Sequence, residues 1–132
     1  MLITDHHLPG DKLPSADVII NPQLKEDKFP SKNLAGVGVI FYILLALRAK
    51  LKAEDWFDEK KIKYPNLANL LDLVALGTIS DLVPLDKNNR TMVAHGLKLM
   101  RKNKSKAGIL AILNQSGRQL STLTSGDLSF AI

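Results

Sequence analysis

The chain has 132 residues, 45% hydrophobic and 23% charged, which is the size and balance of one ordinary globular domain and excludes a disordered, collagenous or low-complexity polypeptide. Eighteen Lys and Arg against thirteen Asp and Glu leave a net charge of +5, which permits a polyphosphate or nucleic-acid partner without demanding one. With no cysteine, disulfide scaffolds, thiolate metal sites and cysteine nucleophiles are excluded, and the longest apolar run, 34–47, is broken by Gly36 and Gly38 and too short to span a bilayer.

Leu2-Ile3-Thr4 reads as the end of a strand, with Asp5-His6-His7 at its carboxyl end and Pro9-Gly10 turning the chain. Asp17-Val18-Ile19-Ile20-Asn21, closed by Pro22, is a second strand; its continuous apolar run suits a parallel strand buried on both faces. Ser31 or Asn33 is placed to cap a helix from near Leu34 to about Ala53, apolar nearly all round as far as Leu47 and so expected to be mostly buried. Trp56 and Phe57 anchor a polar connection to Pro65. Leu67 to Val83 is helical and stops at Pro84, which disfavours the α conformation for the residue before it.

From about Asn88 to Asn103 runs an amphipathic helix carrying Met92, Val93, Leu97 and Met100, ending among Lys98, Arg101, Lys102, Lys104 and Lys106. A shorter helix, Ala107 to Leu113, stops near Gly117, and Ser125 is placed to cap a last apolar segment. No repeat at solenoid periods is present. Both ends fall inside elements, so the expectation is a piece of a larger α/β protein. No basic–apolar–small leader is seen at the start, which points to the cytoplasm.

Asp5-His6-His7 is the strongest chemical signal. It puts three potential ligands or proton carriers where a parallel strand ends, the place where open α/β sheets form ligand sites. Imidazole and carboxylate together suit Mn²⁺ or a similar divalent ion. Neighbours on an extended strand point opposite ways, so His6 and His7 are not expected to bind one ion symmetrically. A plain polar exit from the strand is the alternative.

Asp81 sits in the last turn of an apolar helix, where an anion faces the negative end of the dipole at a cost of a few tenths to about 1 kcal/mol. If buried, it needs a cation or donors, which a metal would supply; if partly solvated, loop amides suffice. Asp72, nine residues earlier, lies on the opposite face and reads as a surface or capping residue. Gly36-Val37-Gly38 opens the first helix, where an N-terminus can hold phosphate oxygens, but the third glycine of a dinucleotide fingerprint is missing and tight helix packing is the better explanation. Lys98–Lys106 reads as a solvated helix end and His95 as a structural or surface residue. Arg90 is placed to grip a phosphate or to clamp Asp86.

Taken in order, four blocks resemble a known family. Thr4-Asp5-His6-His7-Leu8-Pro9-Gly10 is similar to the third signature of the DHH phosphoesterases. Ala16-Asp17-Val18-Ile19-Ile20-Asn21-Pro22 and Asn33-Leu34-Ala35-Gly36-Val37-Gly38-Val39 resemble blocks of their RecJ exonuclease branch. Leu73-Val74-Ala75-Leu76-Gly77-Thr78-Ile79-Ser80-Asp81-Leu82-Val83-Pro84-Leu85 resembles the fourth signature.

The resemblance implies an α/β fold: the C-terminal part of a DHH domain over 1–86, connecting helices over 87–116 including a linker helix, and the start of a following domain over 117–132. It implies a 5′-to-3′ exonuclease on single-stranded DNA in recombination and repair, using two divalent ions, Mn²⁺ or Mg²⁺. The resemblance implies single-stranded DNA as the partner, with a single-strand-binding protein and a helicase as candidate protein partners and no membrane.

His6 and Asp81 would be metal ligands. His7 would contact the scissile phosphate or assist proton transfer, with Asp5 orienting the histidines. Gly36, Gly38 and Arg90 are candidates for substrate binding. The family's first two signatures, which supply further metal-binding aspartates, are not in this chain, so this piece alone is expected to be inactive. Another DHH phosphoesterase, acting on oligonucleotides, nucleoside phosphates or pyrophosphate, or a non-catalytic scaffold of the same descent, are the alternatives.

Overall fold

The computed structural model describes residues 1–131. Strands β1 (Leu2–Thr4) and β2 (Val18–Ile20) pair in parallel, with Leu2 opposite Val18, Ile3 opposite Ile19 and Thr4 opposite Ile20. The expected burial on both faces does not hold. Leu2 and Val18 are 58% and 50% exposed, because the described sheet has two strands, and Ile20 at its far end packs against the cluster of Leu34, Val39 and Phe41.

Helix α1 (Gly36–Ala53) begins two residues later than expected, with Ala35 at its N-cap and no side-chain cap. Ser31 and Asn33 are engaged elsewhere. The Ser31 hydroxyl donates to Asp86 Oδ2 at 2.7 Å, and the Asn33 carbonyl accepts from Asn89 Nδ2 at 2.6 Å. Nor is α1 buried all round: Val39 and Phe41 face the core, while Ile40 and Leu47 are exposed. The connection after it contains a short helix, α2 (Trp56–Glu59), whose buried Phe57 meets Trp56 and Tyr64 edge-on, each at 5.3 Å between ring centres.

The expected Leu67–Val83 helix is split. A 3₁₀ turn (Leu67–Leu70), capped by Asn66, leads into α3 (Leu71–Ser80). α3 stops at Asp81, short of Pro84, because Leu82 takes a left-handed backbone with φ +53°.

Helix α4 (Lys87–Arg101) is capped by Asp86, whose Oδ1 accepts the Asn89 amide at 2.9 Å, and it buries Met92, Val93, Leu97 and Met100. Burial raises the Asp86 pKa. The Ser31 hydroxyl, the Asn89 and Asn88 amides and the Asn33 side chain outweigh this and hold it below its ordinary value.

Helices α5 (Ala107–Gln115) and α6 (Ser125–Ala131) complete the chain. The cap of α6 is Thr124 rather than Ser125: Thr124 Oγ1 accepts the Asp127 amide and Asp127 Oδ2 accepts the Thr124 amide. Ile132, at the end of the expected last segment, lies outside the described residues. No helix among the described residues is long and apolar enough to cross a membrane.

Helix α3 is central, with α4 on one side and α1 on another. One apolar cluster joins Ala75, Ile79, Val93, Leu97, Met100, Ile109, Leu113, Leu123 and Leu128, so residues on both sides of positions 86 and 116 share it. A second joins Leu34, Val39, Phe41, Leu67, Val74 and Met92.

Asp72 corrects the surface reading. It is fully buried, and its Oδ2 accepts the amide of Lys106 at 2.8 Å, so it caps the approach to α5. A carboxylate is tolerated there because its oxygens meet amide donors.

Two glycines set how closely these helices approach. A Cβ on Gly96 would lie 2.2 Å from the Leu71 carbonyl oxygen and 2.4 Å from Ala75 Cβ, and one on Gly77 would lie 2.7 Å from Val37 Cγ1. Gly96→Ala must therefore push α4 off α3 and is expected to cost about 1–3 kcal/mol or more in urea unfolding. Gly108→Ala, in a helix and with open space around it, is expected to be neutral or to stabilise by up to about 1 kcal/mol. Equal effects of the two would refute the packing account.

Candidate metal centre

The site starts where β1 ends. The Asp5 amide donates to the Ile20 carbonyl at 3.0 Å, carrying the pairing one residue past Thr4. The chain then bends. Asp5 Oδ1 accepts the His6 amide at 2.8 Å and the His7 amide at 3.2 Å, and it lies 2.8 Å from His7 Nδ1.

The strand alternation that would send the two imidazoles to opposite faces is therefore lost. Their ring centres stand 4.1 Å apart, tilted by 46°. Asp5 orients the His7 ring directly and His6 only through the backbone. The His7 imidazole first, then the His6 amide, hold the Asp5 carboxyl below its ordinary pKa.

Asp81 reaches the same place from the other side. Its amide closes the last turn of α3 on the Gly77 carbonyl at 3.0 Å. Its Oδ2 lies 3.2 Å from His6 Nε2, with the two side chains 38% and 15% exposed. α1 spaces the two arms. Gly36 lies beside His6, where a Cβ would stand 3.5 Å from His6 Cδ2, while Val37 meets Gly77 of α3. Gly38 faces Leu34 and Met92 in the core.

The remaining candidates stand elsewhere. Arg90 donates to the Leu85 carbonyl at 3.2 Å and does not clamp Asp86, whose oxygens are taken by Ser31 and the Asn89 amide. His95 is exposed, as are Lys98, Arg101, Lys102, Lys104 and Lys106. Asn21, read as the end of a strand and quoted in a family-like block but given no role, borders the candidate site: it is buried and its Nδ2 donates to the His7 carbonyl at 2.8 Å. The available signal was an amide side chain closing an apolar strand directly before a proline.

An imidazole nitrogen and a carboxylate oxygen are a suitable donor pair for a borderline or hard divalent ion. Two donors each about 2.1 Å from an octahedral ion stand about 3 Å apart, which the His6–Asp81 separation matches. Among the described residues no three His, Cys, Asp or Glu side chains gather into one metal-binding group, so the described residues offer a pair of candidate ligands and not a full set.

The model of the DHH family, N-terminal domain, matches residues 1–78. The chain belongs to the DHH family. Asp81 lies three residues past the matched span. Over all 132 residues the chain is 54% identical to the single-stranded-DNA-specific exonuclease RecJ of Escherichia coli and 56% to that of Salmonella typhimurium, and it spans 23% of the length of each. Identity to the Bacillus subtilis RecJ is 35%, over 15% of that protein. Among solved structures, a crystal structure of exonuclease RecJ bound to manganese superposes with a TM-score of 0.71 at 28% identity, covering 98% of this chain and 29% of that one.

The Asp5 clamp gives a pH test. Because its folded pKa is lowered, the stability it contributes is present above the ordinary carboxylate range and lost as pH falls through the folded value. By NMR, the Asp5 carboxyl is expected to titrate below the ordinary aspartate value, and His7→Ala should move it back up. A midpoint indifferent to His7 would remove this contact from the site.

Proposed function

We propose that this chain carries one side of the active site of a metal-dependent exonuclease that hydrolyses phosphodiester bonds of single-stranded DNA from the 5′ end in recombination and repair. The observation that carries the proposal is the convergence of His6 and Asp81 at 3.2 Å from a strand end and a helix end. Identity over the whole of this chain to single-stranded-DNA-specific exonucleases supports the substrate class, and the neighbour solved with manganese supports the ion.

His6 Nε2 and Asp81 Oδ2 would hold a divalent ion, Mn²⁺ or Mg²⁺, as part of a two-ion site. When bound, such ions supply Lewis-acid stabilisation and a water of lowered pKa. His7 has its Nδ1 occupied by Asp5 and its ring 74% exposed, which leaves Nε2 to meet a phosphate oxygen or to move a proton. The net charge of +5 favours a polyanion. Gly36 serves by lying close against the His6 ring. The remaining ligands belong to parts of the longer protein outside this chain.

In the full-length protein with Mn²⁺, His6→Ala and Asp81→Ala are each expected to lower hydrolysis of 5′-labelled single-stranded DNA by more than the ~10–100-fold typical of residues that only support a ligand. His7→Ala is expected to lower turnover by ~10²–10⁴-fold with Mn²⁺ binding retained. Unchanged activity of Asp81→Ala would remove it from the site, and turnover restricted to dinucleotides would favour another phosphoesterase of the family.

The isolated 132-residue chain, with two ligands, is expected to leave single-stranded DNA intact in the same assay. Degradation by the isolated chain would show that this piece holds a complete site.

A further inference from the structure

We infer that Asn21 is a positioning residue for this metal centre: it holds His6 in place by tying the backbone on the far side of that residue to the end of β2. The inference rests on reading His6 and Asp81 as ligands.

His6 is bracketed by two hydrogen bonds to consecutive residues of one strand end. On its N-terminal side the Asp5 amide donates to the Ile20 carbonyl at 3.0 Å. On its C-terminal side the His7 carbonyl accepts from Asn21 Nδ2 at 2.8 Å. The segment between these ties is a bend with no ladder of its own, so without the second tie the peptide after His6 is free to pivot. The Asp5 carboxylate gathers the two histidine amides from within the bend, but Asp5 is itself tied to the sheet only on the N-terminal side of His6.

The orientation of the Asn21 amide is fixed. Its Oδ1 accepts the Gln23 amide at 2.9 Å while its Nδ2 faces a carbonyl, so a flipped amide would set donor against donor and acceptor against acceptor. The side chain is 3% exposed, so water does not readily replace either partner. Aspartate has the right shape but no donor, and would put an oxygen against the His7 carbonyl oxygen.

Gln23 supplies the comparison for a purely structural role. Its Nε2 donates to the Lys32 carbonyl at 2.6 Å in the same loop, and that bond touches neither histidine.

The test is Mn²⁺ binding to the full-length protein, read as free Mn²⁺ by electron paramagnetic resonance, beside the thermal midpoint. N21D is expected to weaken Mn²⁺ binding by ~10–100-fold. Q23A is expected to lower the midpoint to a similar extent with Mn²⁺ affinity unchanged. Should N21D not fold, N21S replaces it, since its hydroxyl still accepts from Gln23 but is too short to reach His7, and the same loss is expected.

Wild-type affinity in the Asn21 variants, with binding lost in H6A and D81A, would overturn the inference and leave the ligand reading standing. An equal loss in Q23A would assign the effect to the loop at large and overturn it too. Wild-type affinity in H6A and D81A would overturn the ligand reading itself, and this inference with it.

Discussion

Asp81 is a carboxylate at the end of a helix where the backbone already presents negative potential, and its meeting with His6 is the interaction on which the arrangement turns. Placed alone at a helix C-terminus, an anion loses a few tenths to about 1 kcal/mol. Here it faces an imidazole nitrogen at 3.2 Å and is partly covered. The imidazole, brought there from a strand more than seventy residues earlier in the chain, gives the carboxylate a polar partner, and under the proposed function a divalent cation shared by the two groups would offset the repulsion.

Bringing those two groups together depends on helix spacing more than on any local motif. His6 arrives from β1 and Asp81 from α3, and α1 lies between them, touching His6 at Gly36 and α3 where Val37 meets Gly77. The axis of α3 is fixed in turn by α4, whose Gly96 lies directly against the Leu71 backbone. An error of one methyl group at either glycine contact would be passed to the carboxylate as a displacement of the whole helix, because packed interiors transmit strain and do not absorb it.

Much of this was legible in the sequence, for identifiable reasons. The continuous apolar run of β2 signalled a parallel strand, although the burial inferred from it does not hold in this chain, and the period of Met92, Val93, Leu97 and Met100 signalled the buried face of α4 because that pattern is dictated by burial. Asp81 stood out by breaking the dipole rule. What failed were inferences that needed a distant partner. Ser31 and Asn33 are good caps by type, yet the side chains of both bond to Asp86 at the α4 entry more than fifty residues away, and α1 begins uncapped. Asp72 is buried because the amide of Lys106 reaches it. The two imidazoles share a side because Asp5 folds its own backbone back, which strand periodicity cannot register. Asn21 was hidden for the same reason: its partner is a carbonyl supplied by another loop.

The same contrast separates ordinary helix ends from the one that bears on the site. Helices α1, α4 and α5 finish in a left-handed residue drawn from the types that accept that conformation: Asp55, Asn103 and Gly117. α3 finishes in Leu82, which has a Cβ to accommodate in that region at about 1–2 kcal/mol and is also 82% exposed. Lys61, after α2, shares the backbone strain but is a charged residue suited to water. Two local rules are thus broken at Leu82, next to the carboxylate that breaks a third. The left-handed turn has one structural consequence: it stops α3 at Asp81, the residue that meets His6. Departures from local preference that collect at one helix end, while the ends of α1, α4 and α5 obey it, mark a place where position takes precedence over local stability.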